Sequence, residues 1–162
     1  MSHPVERAEE ALLSRAEADA RYGTASAEGP ISFAREMAEL SDKMVAEVMA
    51  HFNDHGIDLD YTEESLEDLD RLVSETWPEP IEDKETLEAI VSNWGAYLAQ
   101  TILENVGGRW AVRSDLEHVS LRFERANLEA FPLHAVRRRF LLGQDAAIST
   151  FYEHLIERLT AE

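Results

Sequence analysis

Apolar residues recur along this chain at two spacings: every three or four positions over most of its length, and every second position in a short stretch after residue 108. The longest helical pattern begins at Phe33. Met37, Leu40, Met44, Val48 and Phe52 follow by fours and threes, while Glu36, Glu39, Lys43 and Glu47 take the opposite side. That stripe predicts a helix over about residues 32–53, stopped by Gly56, which adopts the left-handed terminating conformation at little cost. Thr62 is placed to cap a second helix, whose first turns carry Glu63, Glu64, Glu67 and Asp68 where the helix dipole favours negative charge. Leu66, Leu69, Leu72, Val73 and Trp77 give its buried face, and Pro78 and Pro80 end it.

A third stripe is the most continuous. Leu87, Ile90, Val91, Trp94, Leu98, Ile102 and Val106 predict a helix from about Asp83 to the glycine pair Gly107–Gly108. Gly95 lies inside it, where glycine costs about 1 kcal/mol relative to alanine, so a close approach by another element is expected there. Arg109–Arg113 and Val119–Phe123 then alternate as half-buried strands do, and Asn127–Phe131 can add a third. Pro132 opens a helix that Gly143 closes at Leu142. The last helix, capped by Gln144 or Asp145, carries Ile148, Phe151, Tyr152, Leu155, Ile156 and Leu159 on one face.

The residues ahead of Phe33 are less ordered in pattern. Residues 4–21 are rich in Ala, Glu and Arg and favour helix by propensity, while residues 22–30 have the small and breaker residues of a linker. The expected organisation is an N-terminal acidic helix and linker, residues 1–30, followed by a single compact domain, residues 31–162. The fold class is α+β and predominantly helical, with helices packed on a small antiparallel two- or three-stranded meander.

Charge changes this picture more than composition does. The chain has 33 Asp and Glu against 15 Lys and Arg, a net charge of −18. Residues 1–90 hold 24 of those acids and 7 of the bases, so almost the whole imbalance sits in the first half. Such a field repels nucleic acid and anionic membranes and steers cationic partners inward; acidity also serves solubility alone. With no cysteine, disulfides, thiolate metal sites and cysteine nucleophiles are absent. The opening residues hold no apolar run and no stretch approaches the ~20 apolar residues of a membrane span, so a cytoplasmic location is expected.

Few residues suggest chemistry. His51 and His55 are four apart and would share a helical face, the geometry of a two-histidine metal site. The position after the first histidine holds Phe52, not the glutamate that a metalloprotease helix requires. An EF-hand around Gly56 fails because His51 and His55 would fall at ligand positions that need oxygen. Arg137, Arg138 and Arg139 are the one basic cluster, able to meet an anionic group of a partner or to pair with the acidic first half. Gly107–Gly108–Arg109–Trp110 follows a helix instead of preceding one, so it is no phosphate loop. Glu104 with Glu129, or Asp115 with Glu117, can be paired on paper, but 33 carboxylates supply such pairs by chance. No nucleophile context surrounds any serine, and no motif implies a cofactor.

The order Trp94–Gly95–Ala96–Tyr97–Leu98, Gly107–Gly108–Arg109–Trp110, Phe131–Pro132, Val136–Arg137–Arg138–Arg139 and Ser149–Thr150–Phe151–Tyr152, preceded by Asp60–Tyr61–Thr62 and Ser65–Leu66, resembles a family of small bacterial proteins with no established activity. The resemblance covers about residues 57–158 and leaves the first 55 outside. It implies a shared domain and no reaction.

Three functions remain open. The first is a non-enzymatic, immunity-like or regulatory protein whose acidic surface engages a basic protein. The second is a small-molecule site or enzyme with Trp94, Tyr97, Arg109 and Trp110 converging on a pocket. The third is an assembly role, with the apolar stripe of the 32–53 helix forming a homodimer.

Overall fold

The computed structural model describes residues 10–27, 31–52, 57–113 and 118–160. Its elements in chain order are β1 (Leu12–Ser14), α1 (Arg15–Tyr22), β2 (Ser26–Ala27), α2 (Ile31–Phe52), α3 (Glu63–Thr76), α4 (Lys84–Asn105), β3 (Arg109–Val112), β4 (Ser120–Phe123), β5 (Leu128–Ala130), α5 (Pro132–Leu142) and α6 (Ile148–Thr160), with 3₁₀ turns over Glu124–Ala126 and Gly143–Ala146. The class is α+β and predominantly helical.

The meander β3-β4-β5 forms the centre of a five-stranded antiparallel sheet in the order β1-β5-β4-β3-β2. Its two edges come from the N-terminal segment: Leu12–Ser14 pairs with Leu128–Ala130, and Ser26–Ala27 pairs with Ala111–Val112. Two expectations are corrected here. Residues 12–14 are strand and the helix begins only at Arg15, where Ser14 and Glu17 form a capping box. The stretch expected to be a linker contributes a strand, so sheet pairing runs across the boundary drawn at residue 30. Propensity misled because these strands are two and three residues long and depend on partners about 85 to 118 positions away.

Helix α4 is central, packing most extensively on α2 and α5, while α3 packs on α6. Every residue from Trp94 to Ala99 is buried, as a helix covered on several sides requires. Gly95 is where α5 comes closest. A Cβ there would stand 2.9 Å from Leu133 Cδ1 and 3.2 Å from Leu133 Cα, which accounts for a glycine within a helix. The stripe of α2 is used within the chain: Met37, Met44 and Val48 are buried in the main core, with Phe33, Leu40 and Phe52 packed against it. Part of the apolar face that suggested a homodimer is thus used within the chain, while Phe33 and Leu40 stay half-buried and line a cavity of about 340 Å³.

The sheet separates two unequal layers. Leu121, Trp110, Phe123, Leu128 and Ala130 face the helical core. The opposite face is covered by α1, where Leu13, Ala18 and Phe131 form a small second cluster beside Tyr22. On that thin side the sheet carries its charges.

Candidate functional site

Register places Arg122 of β4 directly between Arg109 of β3 and Glu129 of β5. Glu129 is fully buried and accepts from two guanidiniums. Arg113 Nη2 reaches its Oε1 at 3.0 Å, Arg122 Nε and Nη2 reach its Oε2 at 3.1 and 2.8 Å, and the Ser120 hydroxyl donates to Oε1 at 2.6 Å. Asp19 of α1 closes the arrangement from above, accepting from Arg113 Nη2 at 3.1 Å and more distantly from Arg122 Nη2 at 3.4 Å. Arg113 also donates through Nε to the Gly23 carbonyl, and its guanidinium lies 5.7 Å from the Phe131 ring centre. Two cations and two carboxylates balance, so the burial is tolerated and α1 is latched to the sheet.

Beside this network His118 Nδ1 and His134 Nε2 are 3.0 Å apart. His134 Nδ1 lies 3.1 Å from the Glu10 carbonyl, which can only accept. A neutral His134 therefore keeps its lone pair on Nε2 and takes the proton of His118 Nδ1. Tyr22 stacks on His118 and Phe131 on His134.

The residues singled out from sequence are dispersed. Trp94 sits in an aromatic cluster with Trp77 and Phe140. Tyr97 is buried, stacked on Tyr61, and donates to Ser65 Oγ at 2.6 Å. Burial pushes the Tyr97 phenol upward from its usual range. Trp110 packs edge-on against Phe33, its Nε1 without a hydrogen-bond partner among the described residues. Arg109 is 41% exposed and pairs with Glu124. These four do not converge on one pocket, because Trp110 and Arg109 alternate to opposite faces of β3 while Trp94 and Tyr97 look into different parts of the helical layer. The arginine triplet splits as consecutive helical positions must. Arg137 pairs with Glu88 at 2.7 Å, Arg138 lines a cavity of about 260 Å³ with Asp145 and His154, and Arg139 is buried.

Arg139 meets Asp70 of α3, whose carboxylate accepts from Arg139 Nε at 3.2 Å and from the backbone N–H groups of Ile148 and Ser149 at 2.8 and 2.9 Å. The expected caps of the last helix, Gln144 and Asp145, lie in the preceding 3₁₀ turn instead. His51 is exposed at the end of α2, whereas His55, like Asp115 and Glu117, lies outside the described residues. No group of three or more metal-ligating side chains occurs among the described residues. Of the other paired carboxylates, Glu104 is exposed and Glu129 buried.

The carboxylates on the surface gather at the start of α3. Tyr61 adopts φ +61°, uncommon for a residue with a side chain. It is held there by its N–H on Tyr97 Oη at 2.9 Å, by Asn105 Nδ2 on its carbonyl at 2.7 Å, and by its hydroxyl on Asp42 at 2.7 Å. Burial, with Asp42 adding to it, pushes the Tyr61 phenol up to about 12. This bond joins Asp42 of α2 to the turn bearing Asp58, Asp60, Glu63, Glu64, Glu67 and Asp68. Glu63 and Glu64 also help raise Tyr152 of α6, after burial as the larger cause.

A model of a family of unknown function, DUF6278, matches residues 13–126. The chain belongs to the DUF6278 family. No curated protein and no solved structure matches it. The DUF6278 match begins at β1, so most of the first 55 residues, expected to fall outside the shared domain, are inside it. It ends before β5, which leaves the Phe131–Pro132, triple-arginine and Ser149–Tyr152 patterns beyond it. Asp19, Arg113 and Arg122 of the latch fall within the DUF6278 segment, and Glu129 falls just past it.

The alternation of β3 and β4 is that of half-buried strands, yet the structure also buries Arg113, Ser120 and Arg122 on their polar face. The signal for a buried charged face was the in-phase spacing of Arg109, Arg113, Ser120 and Arg122 opposite Glu129. The cover over that face comes from α1, which no local pattern announces.

Proposed function

We propose that this protein acts by binding, not by catalysis, and that its acidic exterior engages a cationic protein in the cytoplasm. The observation that carries this reading is the partition of charge. Arg113, Arg122 and Arg139 are buried in ion pairs, whereas Asp70 and Glu129 are the buried carboxylates among the described residues. Exposed acids thus outnumber exposed bases, most densely where Asp42 meets the 58–68 segment. Carboxylates spread over Asp42, the 58–60 turn and the first turns of α3 suit an extended basic surface. Four serine hydroxyls are engaged in structural bonds: Ser41 bonds Tyr61, Ser74 receives Arg139, Ser120 serves Glu129 and Ser149 serves Asp70.

The test replaces Glu63, Glu64 and Glu67 by Gln together. All three are exposed, so the fold should persist, and capture of a basic partner at low salt should be lost. Retention of the partner by the folded triple variant would refute the assignment of this face.

A further inference from the structure

A cavity of about 520 Å³ lies where the end of the β3–β4 pair meets the C-terminal turns of α4 and α6. Its volume is in the range of small-molecule sites, roughly 300–1,000 Å³. Its lining combines apolar Val106, Phe123 and Leu159 with Arg109, Arg122, Arg125 and Glu124. In a chain of net charge −18, a lining that holds three arginines and one glutamate is locally rich in bases, although Arg109 pairs with Glu124 and Arg122 with Glu129 and Asp19.

Arg122 is the fixed member. It is 5% exposed and its hydrogen bonds all leave from Nε and Nη2, toward Glu129 and Asp19, so Nη1 has no partner among the described residues while the residue forms part of the cavity wall. The buried network thus holds a cation rigidly at the site. Gly108 opens the space next to it: with φ +91°, a Cβ there would stand 2.7 Å from the Phe123 ring. The helix C-termini bring partial negative charge, but the Thr101 carbonyl is taken by Asn105 Nδ2 and the Ile156 carbonyl by the Thr160 hydroxyl.

We infer that this cavity binds an amphiphilic monoanion, a carboxylate on an apolar chain, with the carboxylate between Arg109, Arg122 and Arg125 and the chain against Phe123 and Leu159. A single negative charge fits because Glu124 shares the wall and Arg122 is already half neutralised by Glu129. Paired N–H donors of arginine suit a carboxylate, and the apolar part of the lining selects against small ions such as acetate.

The test is calorimetry and amide NMR on the whole chain with decanoate, decanol, decyltrimethylammonium and acetate. Decanoate should bind one molecule per chain, about tenfold or more tighter than the other three, and should move the amide signals of Gly108 and Leu159. Arg109→Gln and Arg125→Gln, both at the surface, should each weaken decanoate about fivefold or more and leave decanol unchanged. Arg138→Gln, in a different cavity, should change nothing. Decanoate binding no tighter than decanol, shifts centred on Arg138, or insensitivity to both cavity substitutions would overturn the assignment.

Discussion

Asp70 caps a helix to which it does not belong: its Oδ2 accepts from both the backbone N–H of Ser149 at 2.9 Å and the Ser149 hydroxyl at 2.8 Å. The same carboxylate holds Arg139, so one side chain joins α3, α5 and α6. Removing it leaves a buried guanidinium unpaired and two helix-terminal N–H groups unsatisfied. Asp70→Ala should cost about 3–5 kcal/mol, and Ser149→Ala about 1 kcal/mol. Urea unfolding of the two variants checks the ratio; equal effects would contradict this role of Asp70.

Glu129 should be the more sensitive of the two carboxylates in the sheet network. Glu129→Gln leaves two buried guanidiniums facing a neutral group and should destabilise by about 3–5 kcal/mol. Asp19, 34% exposed, stands partly in water, so Asp19→Asn should cost only about 1 kcal/mol. Its effect should be local, with faster amide exchange in Arg15–Tyr22 and little change in α4.

Gly95→Ala sets helix propensity against space. Alanine gains about 1 kcal/mol in a helix interior, but here its methyl meets the backbone of Leu133 as well as its side chain. Overpacking of that kind costs about 1–3 kcal/mol, so the net effect should be destabilising. A stabilised variant in thermal unfolding would show that α5 yields easily.

Tyr61, Tyr97 and Tyr152 all hold their protons more tightly when folded than a free tyrosine does. An unfolded tyrosine ionises near 10, and folded Tyr61 near about 12. Over that interval the unfolded chain binds fewer protons, so stability falls as pH rises from about 10 to 12 and is insensitive to these groups below it. Tyr61→Phe should flatten part of that fall. Tyrosinate absorbance and unfolding measured together across this window provide the check.

The helices were legible wherever burial is one-sided. The stripes of α2, α3 and α4 placed those elements within two or three residues, and Thr62 caps α3 as its position suggested. Gly95 announced the α4–α5 contact because only a close neighbour justifies a glycine there. What could not be read were features whose cause lies far away in sequence: β1 and β2 exist because β5 and β3 offer free edges, and the buried arginines are stable because α1 covers them. The cap of α6 was misassigned for the same reason. Gln144 and Asp145 are near in the chain, yet Asp70 is near in space. For the candidate site, the structure buries Trp94, Tyr97 and Trp110 in the core and places Arg109 in the lining of a cavity with Arg122 and Arg125, a grouping that depends on strand register and not on spacing in the chain.

The central claim is that the exposed carboxylates around the start of α3 recruit a cationic protein. The most direct measurement is the salt dependence of that association, wild type against the Glu63, Glu64 and Glu67→Gln variant. The account predicts that affinity for wild type falls steeply as ionic strength rises through the physiological range and that the variant binds weakly at every salt concentration. Affinity independent of salt, and equal for the two proteins, would contradict it.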